Sequence, residues 1–213
     1  MKKFTLFAGL MVFVGLGLAN AQRVFINEIH YDNIGADSGE GIELAGPSGT
    51  DLSNWSLVLY NGNGGASYSV INLSGILSDQ QGGFGTAFFS TVGIQNGSPD
   101  GLALLDASSA VIQFLSYEGS FTATNGPANG LISEDIGVAE SSSTPVGISL
   151  QLGGTGSVYA DFTWQLGQPN TYDAVNVNQV FGTDSGSAPI INEFVFNHSG
   201  TDTNEFVEVL GSA

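Results

Sequence analysis

The chain has 213 residues, 42% of them hydrophobic, no cysteine, and three basic residues against twenty acidic ones, a net charge of −17. So few Lys and Arg exclude a phosphate-tracking nucleic-acid surface, and the negative charge disfavours anionic membranes. Without disulfides, a hydrophobic core must hold the fold together, and the chain is long enough to build one.

Lys2 and Lys3, an apolar run from Phe4 to Leu18, and Ala19-Asn20-Ala21 have the layout of a secretory signal peptide over 1–21. The run is interrupted by glycines and is short for a membrane span; an uncleaved anchor is the alternative. Cleavage after Ala21 leaves Arg23 as the one basic residue against twenty acids, a charge of −19. The expected location is secreted or extracellular, and the expected partner a protein or extracellular polymer. No later segment is apolar enough to span a bilayer.

Short alternating runs then follow one another. Strands are expected at Val24–Tyr31, Gly41–Ala45, Trp55–Tyr60, Tyr68–Leu73, Gly85–Ser90, Leu102–Leu105, Val111–Leu115, Ile148–Leu152 and Val158–Trp164. Asp106–Ala110 and Gly153–Gly156 read as hairpin turns, and Glu118–Pro145 as a long Ser/Gly/Thr/Asn-rich loop. No window holds a 3.6-residue apolar period, so no long helix is expected. The class is all-β, a sandwich or barrel over residues 22–181. Residues 182–189 read as a linker closed by Pro189.

From 190 the chain repeats itself. At a constant offset of 165, Ile26, Asn27, Glu28, Gly35, Asp37, Glu40, Glu43 and Gly46 match Ile191, Asn192, Glu193, Gly200, Asp202, Glu205, Glu208 and Gly211. Residues 190–213 thus read as the truncated start of a second copy, a tandem neighbour on the C-terminal side. Two strands cannot bury a sandwich core, so the chain is expected to be a fragment of a longer protein; a docked or disordered tail is the alternative.

Three segments resemble the bacterial lamin-tail domain family: Ile26-Asn27-Glu28-Ile29, the run from Asp37 through Glu40 to Leu44, and Asp51-Leu52-Ser53-Asn54-Trp55-Ser56-Leu57. The stretch Asn96–Asp106 is similar too. The resemblance is close over 24–117 and looser to 181. At Gly41 the family pattern carries a bulkier residue; Phe206 stands at the matching place of the repeat. The resemblance implies an immunoglobulin-like β-sandwich, exported and set beside secreted enzymes such as nucleases or phosphatases.

The acidic constellation carries the most chemistry. Strand alternation turns Glu43 away from Ile42 and Leu44, and Glu28 away from Ile29, while Asp32 and Asp37 fall in the connection between the strands. Asp32, Asp37, Glu40 and Glu43 are candidate calcium ligands, because Ca²⁺ takes six to eight oxygens. Equally, Glu28 and Glu43 could accept backbone N–H bonds while the aspartates cap the turn. No cofactor other than calcium is indicated. Zinc is disfavoured, since there is no cysteine and His30 and His198 lie in different copies.

Gly182–Ser187 has a weak likeness to a serine nucleophile loop but comes with no partner histidine. The glycine-rich stretches at 62–65 and 82–85 do not lead from strand into helix, so they make no phosphate cradle. Trp55 and Trp164 could form a sugar-stacking face, though Trp55 in an alternating run reads better as core. Three functions remain: a non-catalytic exported interaction, spacing or anchoring module; a carbohydrate- or polymer-binding module, with or without calcium; and a hydrolase, or part of a secreted nuclease whose catalytic domain lies elsewhere.

Overall fold

β1 (Phe25–His30) and β2 (Gly41–Pro47) form the first hairpin, and almost every residue in it is buried. The pairing slips between Ile26 and Glu28, so Asn27 is an extra residue in β1. That bulge explains the spacing of the I-N-E-I run. Ile26 and Ile29, three apart, both reach the hydrophobic core, which a regular period of two would forbid. A computed structural model describes residues 23–182 in full, and the backbone of two strands at 190–195 and 206–210.

The remaining strands are β3 (Ser56–Asn61), β4 (Ala66–Asn72), β5 (Phe84–Ser90), β6 (Asp100–Leu105), β7 (Val111–Tyr117), β8 (Glu134–Asp135), β9 (Ile148–Gly156), β10 (Phe162–Pro169), β11 (Gln179–Phe181), β12 (Ile190–Val195) and β13 (Phe206–Leu210). One sheet runs β10-β9-β1-β2-β5, with β11 also paired to β9; the other runs β4-β3-β6-β7-β8. The two sheets pack as a sandwich. Ile29, Ile42, Leu44 and Leu150 from the first meet Leu57, Leu59, Leu102, Leu104 and Leu115 from the second. Among the described residues there is no α-helix, and no helix is long and apolar enough to cross a membrane.

All nine expected strands are present, with shifted ends. One turn is displaced. Gly153–Gly156, expected as a turn, is the end of β9, because both its edges are paired: Phe162–Trp164 on one side and β11 on the other. The turn lies just beyond, where Asp161 Oδ2 accepts the Ser157 and Val158 N–H groups at 2.8 and 3.1 Å and Tyr159–Asp161 form one 3₁₀ turn.

The long loop expected at 118–145 is also more than a loop. β8 pairs in parallel with β7. Phe121, Ala123 and Ala128 pack on Val58, Tyr60, Ala103 and Phe114, so this segment covers the outer face of the second sheet. The expected signal peptide, the 183–189 part of the linker and its serine-containing loop lie outside the described residues.

β12 and β13 pair with each other as a separate two-stranded sheet. Their register reproduces that of β1 and β2 at the offset of 165: Ile191 faces Val209 as Ile26 faces Leu44, and Glu193 faces Glu208 as Glu28 faces Glu43. The slip recurs as well, between Ile191 and Glu193.

Candidate functional site: a buried carboxylate layer

The outer face of the first sheet is polar and yet closed to water. Glu28 and Glu43, paired across β1 and β2, are both 0% exposed. The segment 170–179 lies over them and supplies what two buried carboxylates need, hydrogen-bond donors. Glu28 accepts the Thr171 N–H at 3.2 Å, the Thr171 hydroxyl at 2.9 Å and the Ser149 hydroxyl at 2.6 Å. Glu43 accepts the Asp173 N–H at 2.7 Å and the Asn27 side-chain amide at 3.0 Å. The bulge residue completes the layer, since Gln179 Nε2 donates to Asn27 Oδ1 at 2.7 Å and Asn176 Nδ2 to the Asn27 carbonyl at 2.8 Å.

Gly41 finds its reason here. A side chain at this position would overlap the Phe88 ring. That ring stacks on Tyr172, 3.8 Å between centroids, and the Tyr172 hydroxyl donates to the Gly39 carbonyl at 2.9 Å. The missing side chain thus makes room for the aromatic pair that seats the covering segment.

A second buried carboxylate joins the long loop to the end of β1. Glu140 Oε2 accepts the N–H groups of Tyr31 and Asp32, at 2.6 and 3.0 Å, and its Oε1 lies 2.8 Å from His30 Nδ1. His30 Nε2 faces two further acceptors, Asn33 Oδ1 at 3.2 Å and the Ser38 carbonyl at 3.1 Å. The Asn33 amide is oriented by the bonds its nitrogen donates to the Ile34 and Ala36 carbonyls. Both imidazole nitrogens therefore meet acceptors, an arrangement that the doubly protonated ring satisfies. Burial alone would lower the His30 pKa. The Glu140 carboxylate and the two acceptors more than offset it and hold His30 above its ordinary value.

The four candidate calcium ligands are divided among different partners. Glu40 accepts the N–H groups of Gly93 and Ile94 at 3.0 and 2.9 Å, and Glu43 belongs to the layer under 170–179. Asp37 accepts the Asn33 N–H at 3.1 Å. Asp32 and Asp37 do come together, and burial followed by the Asp37 charge raises the Asp32 pKa. Among the described residues no three His, Asp or Glu side chains form a group able to hold a metal ion. Sequence reasoning missed Glu140, which sits in a Ser-rich stretch 110 residues from its histidine partner.

Neither tryptophan forms an open platform. Trp164 is 9% exposed and donates its indole N–H to the Tyr159 hydroxyl at 3.1 Å, while Trp55 packs against the core. Among the described residues, two clefts lie on the surface. One of about 610 Å³ lies between Asn61–Gly64 and Gln95–Asp100. The other, of about 470 Å³, is lined by Glu134, Asp135 and Ile136 and by Tyr159, Phe162 and Trp164.

No family model matches the chain, and neither curated proteins nor solved structures give a match.

The buried groups set a pH dependence. Burial raises Glu28, and burial followed by the Glu28 charge raises Glu43 well above the ordinary glutamate value. With His30 also raised, the folded state holds more protons than the unfolded chain wherever the pH lies between the ordinary and the raised values of these groups. Stability therefore falls as pH rises. The melting temperature at pH 5.5 should exceed that at pH 8, and His30→Gln should flatten the part of the slope above about pH 6.5; thermal scans across this range check both. Because Glu40 and Glu43 already accept backbone N–H groups, replacing a chelator with millimolar calcium should leave the melting temperature unchanged. A rise in calcium would instead mark Asp32 and Asp37 as ligands.

Proposed function

We propose that the chain is an exported, non-catalytic β-sandwich module of the lamin-tail, immunoglobulin-like kind, serving interaction, spacing or anchoring beside a secreted hydrolase such as a nuclease or phosphatase. The observation that carries this reading is the strand pair β12 and β13, which repeats the register and the bulge of β1 and β2 at an offset of 165. A slip placed at the same point twice supports reading the chain as one unit used twice, in a tandem array. The carboxylates give independent support. Glu28, Glu40, Glu43 and Glu140 each accept at least one backbone N–H, a role in architecture rather than in proton transfer. The stacking form of a carbohydrate-binding reading is disfavoured by the packing of Trp55 and Trp164.

Expression with its own N-terminus in a secreting host tests the proposal. The protein should reach the medium with Gln22 as its first residue, read by N-terminal sequencing, and should hydrolyse neither DNA nor a phosphomonoester. Retention in the cell, or turnover that persists through purification, would overturn it.

A further inference from the structure

The cleft of about 610 Å³ opens where two strands of the second sheet part. Asn61 at the end of β3 faces Asp100 at the start of β6, and past this pair residues 62–64 form one wall and 95–99 the other. Both walls are pinned from behind. Asp100 is 2% exposed and accepts the Gly62 N–H at 3.0 Å. The Tyr68 hydroxyl accepts the Gln95 N–H at 2.9 Å, and the Tyr117 hydroxyl donates to the Gln95 carbonyl. The Ser98 hydroxyl donates to the Glu118 carbonyl at 3.0 Å. The backbone is thus fixed, while among the described residues nothing bonds to the side-chain amides of Asn63 and Gln95.

We infer that this cleft binds a neutral sugar chain, whose hydroxyl groups pair with the side-chain amides of Asn63, Gln95 and Asn96. The composition of the lining decides among ligands. It holds no Lys, Arg or His, Asp100 is its single charged side chain, and Pro99 is its single apolar one. Without a cation, and on a chain of net charge −17, the cleft disfavours phosphates and acidic sugars. Without an apolar wall it offers no pocket for a lipid or for the anchor side chains of a peptide. Calcium takes six to eight oxygens, and the one carboxylate here already accepts a backbone N–H. An amide presents a donor and an acceptor side by side, and a hydroxyl needs both. Walls fixed before the ligand arrives reduce the ordering that binding would cost. Recognition is by hydrogen bonds and needs no stacking ring, so the packing of Trp55 and Trp164 does not oppose it. That the sugar belongs to an extracellular polymer rests on the export reading. Binding is measured on purified protein, so a failed titration leaves export standing, and failed export leaves a positive titration standing.

An NMR titration tests the inference. The full chain, labelled with nitrogen-15, is titrated separately with cellohexaose, laminarihexaose, chitohexaose and mannohexaose, each to about 5 mM. At least one of them should shift the Asn63, Gly64, Asn96 and Gly97 amides and the Gln95 side-chain amide saturably. The double variant N63A/Q95A should bind that sugar about fivefold or more weakly with an unchanged melting temperature. The control N129A, which removes an exposed amide outside the cleft, should change affinity by less than about twofold. The inference is overturned if none of the four sugars shifts these residues saturably, or if N63A/Q95A and N129A lose affinity equally. It is also overturned if hexagalacturonate binds more tightly than the neutral sugars. A response of the same amides to calcium chloride, or to an acetylated, amidated Gly-Ser-Asn-Gly-Ser peptide, with none to any sugar, overturns it as well.

Discussion

Two glutamates face each other across the first hairpin, both closed to solvent. Placing Glu28 and Glu43 side by side in a buried layer is unfavourable, and their raised pKa values register that cost. What makes it tolerable is the segment 170–179, which arrives with the Thr171 and Asp173 N–H groups aimed at them. The dependence runs both ways. The carboxylates need donors, and a segment that is not in a sheet at 170–178 needs acceptors for its backbone. Each buried group left without a partner costs about 1–3 kcal/mol, so neither half of the arrangement is stable without the other. The end of the sandwich is thereby tied to its beginning.

The same device recurs at two more places. Glu40 accepts the N–H groups of Gly93 and Ile94, and Glu140 those of Tyr31 and Asp32. In each case one carboxylate takes two successive backbone donors at a point where the chain leaves a sheet. Buried acids thus do the work that ladder hydrogen bonds do elsewhere. This bears directly on function. A carboxylate held by two backbone donors is poorly placed to accept a substrate's proton or to bind a metal, which gives Glu40 and Glu140 a role in the architecture.

Much of this was legible in the sequence. Alternation placed all nine long strands, and it turned Glu28 and Glu43 away from the core because a period of two leaves no other choice. That their side of the sheet is buried was not legible. Burial there depends on 170–179, whose hydrogen bonds to Glu28 and Glu43 span 143 and 130 residues. The bulge at Asn27 was hidden for a similar reason: a slip in pairing leaves no mark on one strand read alone, although the three-residue spacing of Ile26 and Ile29 was a usable hint. Glycine misled at 153–156, where it reads as a turn but permits close strand contact. β8 and β11, at two and three residues, are too short to carry a period. Gly41 is needed because a side chain there would overlap Phe88, and that is visible only once the Phe88–Tyr172 stack is seen.

The central claim is that buried carboxylates hold the covering segment in place. Native-state hydrogen exchange on Glu43→Ala tests it most directly. The account predicts that the Asp173 amide, and with it Thr171, exchanges about 30-fold or more faster than in the parent, corresponding to about 2 kcal/mol or more for donors left without an acceptor, while amides of β6 and β7 stay protected. Unchanged protection at Thr171 and Asp173 would contradict it.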